Sequence, residues 1–156
     1  MSKVYFSLGS NLGDRKGTLL HALDLMDERI GSRMGLSAFY ETEPWGFESE
    51  NIFLNAAVGY ETELTPRELL RVTQEIECAS GRKEKSHHGV YADRPVDIDL
   101  LLYDDLVLRE EDLELPHPLM HKRDFVLRPL AEIAPLLIHP VLKKDMQTLL
   151  RELEGT

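Results

Sequence analysis

Apolar and polar positions alternate most cleanly near the middle of the chain, over residues 94–103. Val96, Ile98, Leu100 and Leu102 fall on one side of the alternation, and Asp97, Asp99, Leu101 and Tyr103 on the other. A period of two predicts a strand with one dry face. Upstream, residues 4–8 read as a short apolar strand, followed by the turn Gly9-Ser10-Asn11-Leu12-Gly13. Asp14 is placed to cap a helix over 15–30, with Leu19, Leu23, Met26 and Ile30 at helical spacing and Gly31 at its end. Residues 36–42 and 53–62 read as two further strands. In the second, Phe53, Asn55 and Ala57 alternate with Leu54, Ala56, Val58 and Tyr60. Thr65-Pro66-Arg67-Glu68 has the form of a capping box with Pro in the first turn, opening a helix whose buried stripe is Leu69, Val72 and Ile76. After the central strand, residues 113–118 read as extended. Phe125, Leu127, Leu130, Ile133 and Ala134 predict a helix stopped by Pro135, and Asp145 is placed to cap a last helix carrying Met146, Leu149, Leu150 and Leu153.

The predicted order β-α-β-β-α-β is that of the split-βαβ, ferredoxin-like plait. The expected fold is α+β: a mainly antiparallel sheet with helices packed on it and a C-terminal helical extension. A length of 156 residues fits a single domain over 1–156. The net charge of −10 argues against a general binder of nucleic acid or of anionic membranes, whose footprint is basic. A single cysteine, Cys78, rules out an internal disulfide, and its predicted helical setting suggests a small core residue. No signal peptide is recognised and no apolar run nears the ~20 residues a membrane span needs. A cytoplasmic protein is expected.

Asp97 and Asp99 carry the first chemical signal. Residues i and i+2 of a strand point the same way at roughly 6.6–7 Å. Two carboxylates there repel, and a divalent cation between them turns repulsion into attraction; hard oxygen ligands suit Mg²⁺. By spacing alone the pair reads equally well as a strand end with two solvated acids. The preceding loop over 81–94 is long, polar and locally basic, with Arg82, Lys83, Lys85 and Arg94 against Glu84 and Asp93. A loop of that kind suggests an active-site lid, and guanidinium groups beside a metal suit a polyphosphate. His87 and His88 lack partners at zinc-ligand spacing and read as solvated. The glycine turn at 9–13 lacks the spacing of a phosphate loop and reads as a tight turn. Gln74 and Glu77, three apart on a helix, and the acids at 110–112 also read as solvated. Asn55, within an apolar strand, needs hydrogen bonds if buried. Trp45 and Phe47 in the loop after Pro44 either fold back on the core or are covered by something else.

Taken together these pieces resemble a known family, the 6-hydroxymethyl-7,8-dihydropterin pyrophosphokinases of folate synthesis. The resemblance runs in order through Leu8-Gly9-Ser10-Asn11-Leu12-Gly13, Phe39-Tyr40-Glu41-Thr42, Phe53-Leu54-Asn55-Ala56-Ala57-Val58, Gln74-Glu75-Ile76-Glu77 and Gly81-Arg82. It continues through Asp97-Ile98-Asp99-Leu100-Leu101, Pro116-His117-Pro118 and Arg123-Asp124-Phe125-Val126-Leu127. It implies transfer of the β,γ-diphosphoryl group of ATP to the pterin hydroxymethyl oxygen, with two Mg²⁺ ions on Asp97 and Asp99. It implies Arg82 and Arg94 at the transferred group, and Gln74, Glu77, Lys85, Leu100, His117 and Arg123 at ATP. Thr42, Trp45, Phe53, Asn55, Tyr91 and Phe125 are implied at the pterin. The implied partners are these two small molecules, with no nucleic acid and no membrane, and the implied state is a monomer. In the loop, Asp93-Arg94 stands where many members have Pro-Arg, Glu84 where a second basic residue is common, and Tyr91 where Trp is common. A non-catalytic ligand-binding module of the same topology, and a Mg²⁺-dependent phosphotransferase for another heterocycle, are the rival readings.

Overall fold

Strand β1 (Ser2–Ser10) lies at the centre of the sheet, and its last six residues are all buried or nearly so because both of its faces are covered. The computed structural model describes residues 1–42, 52–80 and 96–155. In chain order the further elements are α1 (Arg15–Arg29), β2 (Gly31–Leu36), β3 (Tyr40–Thr42), β4 (Phe53–Thr62), α2 (Pro66–Ala79) and β5 (Asp97–Tyr103). A hairpin of β6 (Leu108–Glu110) and β7 (Leu113–Leu115), a 3₁₀ turn at Met120–Lys122, α3 (Asp124–Ile133) and α4 (Met146–Gly155) follow. The sheet order is β2-β4-β1-β5 with every pairing antiparallel, and β3 continues along β4 beside β2. This is the expected plait.

The helix starts form as their side chains dictate. Asp14 accepts from Gly17 N–H at 3.1 Å. Thr65 and Glu68 exchange both bonds of a capping box. One face of the sheet packs Phe6, Leu8, Val58, Tyr60, Ile98 and Leu100 against Leu19, Leu23 and Met26 of α1 and Leu69, Val72 and Ile76 of α2. The other packs Ala57, Leu101 and Leu102 against Val126, Leu127 and Leu130 of α3 and Met146 and Leu149 of α4. The C-terminal helices are thus a second layer rather than an appendage. Asp145 caps α4 as expected, accepting from Thr148 N–H at 2.7 Å. Among the described residues no helix is long and apolar enough to cross a membrane.

Three expectations need correction. The second strand starts at Gly31, not Leu36, and pauses at 37–39. Gly31 is required there by close approach: a Cβ would lie 2.0 Å from the Glu61 carbonyl oxygen. Ser37 then leaves the ladder and replaces it with its own groups, donating N–H to Ala57 O and accepting Ala57 N–H on Oγ, both at 2.9 Å. Leu102 does not share a face with Ile98 and Leu100. The β1–β5 register shifts between Tyr5/Leu102 and Phe6/Leu100, so Leu101 is an extra, bulged residue and Leu102 turns to the α3 side. Cys78 is exposed and not in the core.

Candidate active site

The register of the three central strands builds the floor of the site. Gly9 pairs with Asn55 on one side and Asp97 on the other; Ser7 pairs with Ala57 and Asp99. Adjacent strands are 4.7–4.9 Å apart, so Asn55 and Asp97 stand about 10 Å apart across Gly9. Glycine at position 9 is what lets the Asn55 amide lie over the floor, because a Cβ there would meet Asn55 Oδ1 at 2.8 Å. Asn55 is buried, and its Nδ2 donates to Thr42 Oγ1 from β3. Phe53, two residues before Asn55 on the same face, and Phe125, in the first turn of α3, are the aromatic groups at this end. The Arg123 guanidinium sits over the Phe125 ring, 5.7 Å from its centroid.

At the other end Asp97 and Asp99 point away from the α1/α2 layer. Burial, then the neighbouring Asp97 and Glu77 carboxylates, hold the Asp99 carboxyl well above the usual carboxylate range, opposed only by Arg123. Glu77 is buried rather than solvated: its carboxylate accepts Ile98 N–H at 2.9 Å and so satisfies a backbone donor on β5. His117 is set by the bulge. Its N–H donates to the carbonyl of Leu101, the extra residue, at 2.9 Å. Its Nδ1 accepts Leu119 N–H at 3.3 Å, which leaves the ring proton on Nε2. Burial, then Arg123, push the His117 imidazole down to about 4 against the opposing pull of Asp97, so it is neutral at pH 7.

One cavity of about 560 Å³ joins the two ends. Of the residues expected at ATP, Glu77, Leu100, His117 and Arg123 line it, as do Asp97 and Asp99; of those expected at the pterin, Thr42, Phe53, Asn55 and Phe125 line it. Gln74, half-buried on α2, does not. Trp45, Arg82, Lys85, Tyr91 and Arg94, and with them His87, His88 and the proposed lid, lie outside the described residues. The cavity also takes Leu70 and Thr73, which the sequence reading passed over although Leu70, Thr73 and Glu77 recur at i, i+3 and i+7 on one helix face. Ser7 and Gly9 were missed as well. The acids at 110–112 are not a plain solvated turn: they rim the cavity at the β6–β7 hairpin, where Arg67 bridges Glu110 and Asp112. Among the described residues no group of three or more His, Cys, Asp or Glu side chains is arranged to hold a metal by itself.

Paired carboxylates with Arg123 and His117 at one end and an aromatic-and-amide slot at the other share one cavity on the sheet of a plait, an arrangement suited to an enzyme of small molecules. The comparisons agree and are more specific. A family model described as 7,8-dihydro-6-hydroxymethylpterin-pyrophosphokinase matches residues 5–135. The chain belongs to this family and is accordingly a pyrophosphokinase of folate biosynthesis acting on hydroxymethyldihydropterin. It is 54% identical over 141 residues to the 2-amino-4-hydroxy-6-hydroxymethyldihydropteridine pyrophosphokinase of Porphyromonas gingivalis, covering 90% of this chain and 95% of that one. It is 42% identical over 147 residues to the enzyme of the same name from Aquifex aeolicus, covering 94% and 89%. The fold is similar to that of the wild-type HPPK-DHPS crystal structure from Plasmodium falciparum, with a TM-score of 0.78 at 16% identity, over 97% of this chain and 44% of that one.

Proposed function

We propose that the chain transfers the β,γ-diphosphoryl group of ATP, bound with magnesium, to the hydroxymethyl oxygen of the dihydropterin. The pterin oxygen bonds to the β-phosphorus, the bond from that phosphorus to the α-phosphate oxygen breaks, AMP leaves, and the hydroxymethyl proton is lost. One observation carries this reading: the carboxylate end and the aromatic-amide end share a single cavity with Gly9 between them.

Phosphoryl transfer asks the protein mainly for positioning and charge neutralisation. Phe53 and Phe125 stack on the pterin ring and Asn55, steadied by Thr42, reads its edge. The apolar part of the cavity at Leu70, Leu100 and Leu113 suits the purine. Arg123 and the Nε2–H of His117 donate to phosphate oxygens; being neutral, His117 does so without adding a second cation. Arg82 and Arg94, which precede β5 in the sequence, neutralise the transferred group, and Lys85 and Tyr91 between them assist. Asp97 and Asp99 fit a pair of Mg²⁺ ions: both are hard oxygen donors, and the buried Asp99 carboxylate is disfavoured as an anion until a cation joins it. When bound, such ions offset the charge of the triphosphate oxygens. Glu77 holds the edge of β5 and thereby the aim of both aspartates. On this reading the enzyme works as a monomer in the cytoplasm, the groups named for both substrates all coming from one chain.

The test is release of AMP from ATP, dependent on both hydroxymethyldihydropterin and Mg²⁺. Asp97→Ala and Asp99→Ala are expected to abolish it with the fold retained. Phe125→Ala is expected to raise the KM for the pterin and leave that for ATP nearly unchanged. Near wild-type turnover in either aspartate variant, or an equal loss for both substrates in Phe125→Ala, would refute the assignments.

A further inference from the structure

Glu132 lies near the end of α3, two turns beyond Phe125, and touches neither end of the cavity. Its carboxylate nevertheless takes two hydrogen bonds from the segment facing it: Ala38 N–H at 2.9 Å and the Tyr40 hydroxyl. The bond to Glu132, more than burial, pushes the Tyr40 hydroxyl up from its ordinary value, so it stays a donor at neutral pH. Tyr40 and Thr42 are two apart on β3 and share a face. Phe125 and Glu132 are seven apart on α3 and share a face. The Tyr40–Glu132 bond is therefore a second rung beside the gap between Thr42 and Phe125, which line the slot for the flat ring. The inward side of α3 is held without it: Leu127 and Leu130 are fully buried, and Arg128, one turn before Glu132 on the same face, pairs with Asp124 at 2.7 Å and with Glu154 of α4 at 2.8 Å. Glu132 is thus not needed to keep α3 on the sheet; what it adds is the spacing between α3 and β3.

We propose that Glu132 is a positioning residue for the pterin, fixing the width of the slot by tying Ala38 and Tyr40 to α3. The inference rests on the placement of the pterin between Phe53 and Phe125. An aromatic sandwich is sensitive to such spacing, because attraction between ring faces falls away within about an ångström of added gap. On the proposed reading ATP lies against β5, α2 and the β6–β7 hairpin and meets the α3 end only through Arg123, nine residues from Glu132, so its binding should respond far less.

The experiment compares Tyr40→Phe, Glu132→Gln, the double variant and Phe125→Ala in the full chain by AMP release and thermal unfolding. Tyr40→Phe, which deletes the bond, and Glu132→Gln, which removes its charge, should each raise the pterin KM about five- to tenfold, the scale of one ordinary hydrogen bond. The ATP KM should stay within twofold and the Tm within a few degrees. The double variant should be worse by less than the sum of the two single effects, since both changes act on the one Tyr40–Glu132 contact. Tyr40→Phe deletes only a hydroxyl, so it carries the test if Glu132→Gln folds poorly. A pterin KM within twofold of wild type in the single variants, while Phe125→Ala raises it, overturns the role of Glu132 and leaves the slot standing. A parallel rise in both KM values with a lower Tm also overturns it, as a merely structural contact. An unchanged pterin KM in Phe125→Ala removes the slot itself and the inference with it.

Discussion

Replacing Asp99 by Asn should make the metal-free protein more stable while ending its activity. Asp97 and Asp99 are i and i+2 on a strand, about 7 Å apart at the backbone, their carboxyls come within hydrogen-bonding reach of each other, and Glu77 adds a third carboxylate nearby, so the repulsion at 7 Å is a lower bound. At an effective dielectric of 20, one such like-charge pair costs about 2.4 kcal/mol. Asn removes that repulsion and keeps the shape, so a gain of about 2 kcal/mol is expected. For a domain of this size that is a rise in Tm of about 4–8 °C. Scanning calorimetry in chelator at pH 8 reads it directly. The pH dependence supplies an internal check. The folded carboxyl of Asp99 lies above its unfolded value, so its ionised form penalises folding. The wild type therefore recovers stability as pH falls through the raised value toward the ordinary carboxyl range, and the advantage of the variant should shrink there. With Mg²⁺ and a non-hydrolysable ATP analogue the order should reverse, because only the wild type gains from ligand binding. A variant Tm at or below that of the wild type in chelator would sink the argument that these carboxylates are held against their mutual repulsion.

Gly9→Ala places a Cβ 2.8 Å from Asn55 Oδ1 and should raise the pterin KM tenfold or more with the ATP KM unchanged; equal effects on both would refute it. The folded imidazole of His117 titrates at about 4, below its unfolded value, so the unfolded chain binds the extra proton between about pH 6.5 and 4 and stability falls as pH falls through that window. His117→Asn should flatten the curve there in urea unfolding, and an unaltered slope would count against the assignment. Glu77→Ala leaves the Ile98 N–H without its acceptor and should cost about 1–3 kcal/mol by the same measurement, along with most of the turnover. Full turnover in that variant would show that the edge of β5 needs no such support.

The plait was legible because its signals are local. The capping box at Thr65 and the alternation over residues 53–62 each depend on neighbours in sequence, and both appear where expected. What the sequence hid depends on distant partners. Glu77 reads as a solvated helix acid until β5 arrives with an Ile98 N–H to satisfy. Gly31 reads as a helix stop until β4 crosses within reach of its missing Cβ. Ser37 looks like part of a strand until its hydroxyl replaces a ladder bond. For the site, Asp97 and Asp99 could be paired from spacing alone, but whether they were solvated could not. The gathering of Thr42, Asn55, His117 and Arg123 around them came from the family resemblance, since no local rule joins residues so far apart in the chain.

The bulge at Leu101 divides β5 into two phases that answer to different layers of the molecule. Up to Leu100, the aspartates take the odd-numbered positions while Ile98 and Leu100 pack into the layer of α1 and α2; after Leu101 the parity is inverted, with Leu102 in the α3–α4 layer and Tyr103 against the other. A scan of polar substitutions along the strand should therefore show its rhythm of tolerance break at one point instead of continuing to Tyr103. The extra residue also couples two properties that would otherwise vary separately. Deleting it would restore an unbroken rhythm, yet would withdraw the carbonyl that holds His117 and swing Leu102 out of the α3–α4 layer. Insertions and deletions in β5 are in this sense forbidden one at a time, and a homologous chain with a different strand length must re-anchor its histidine by another route.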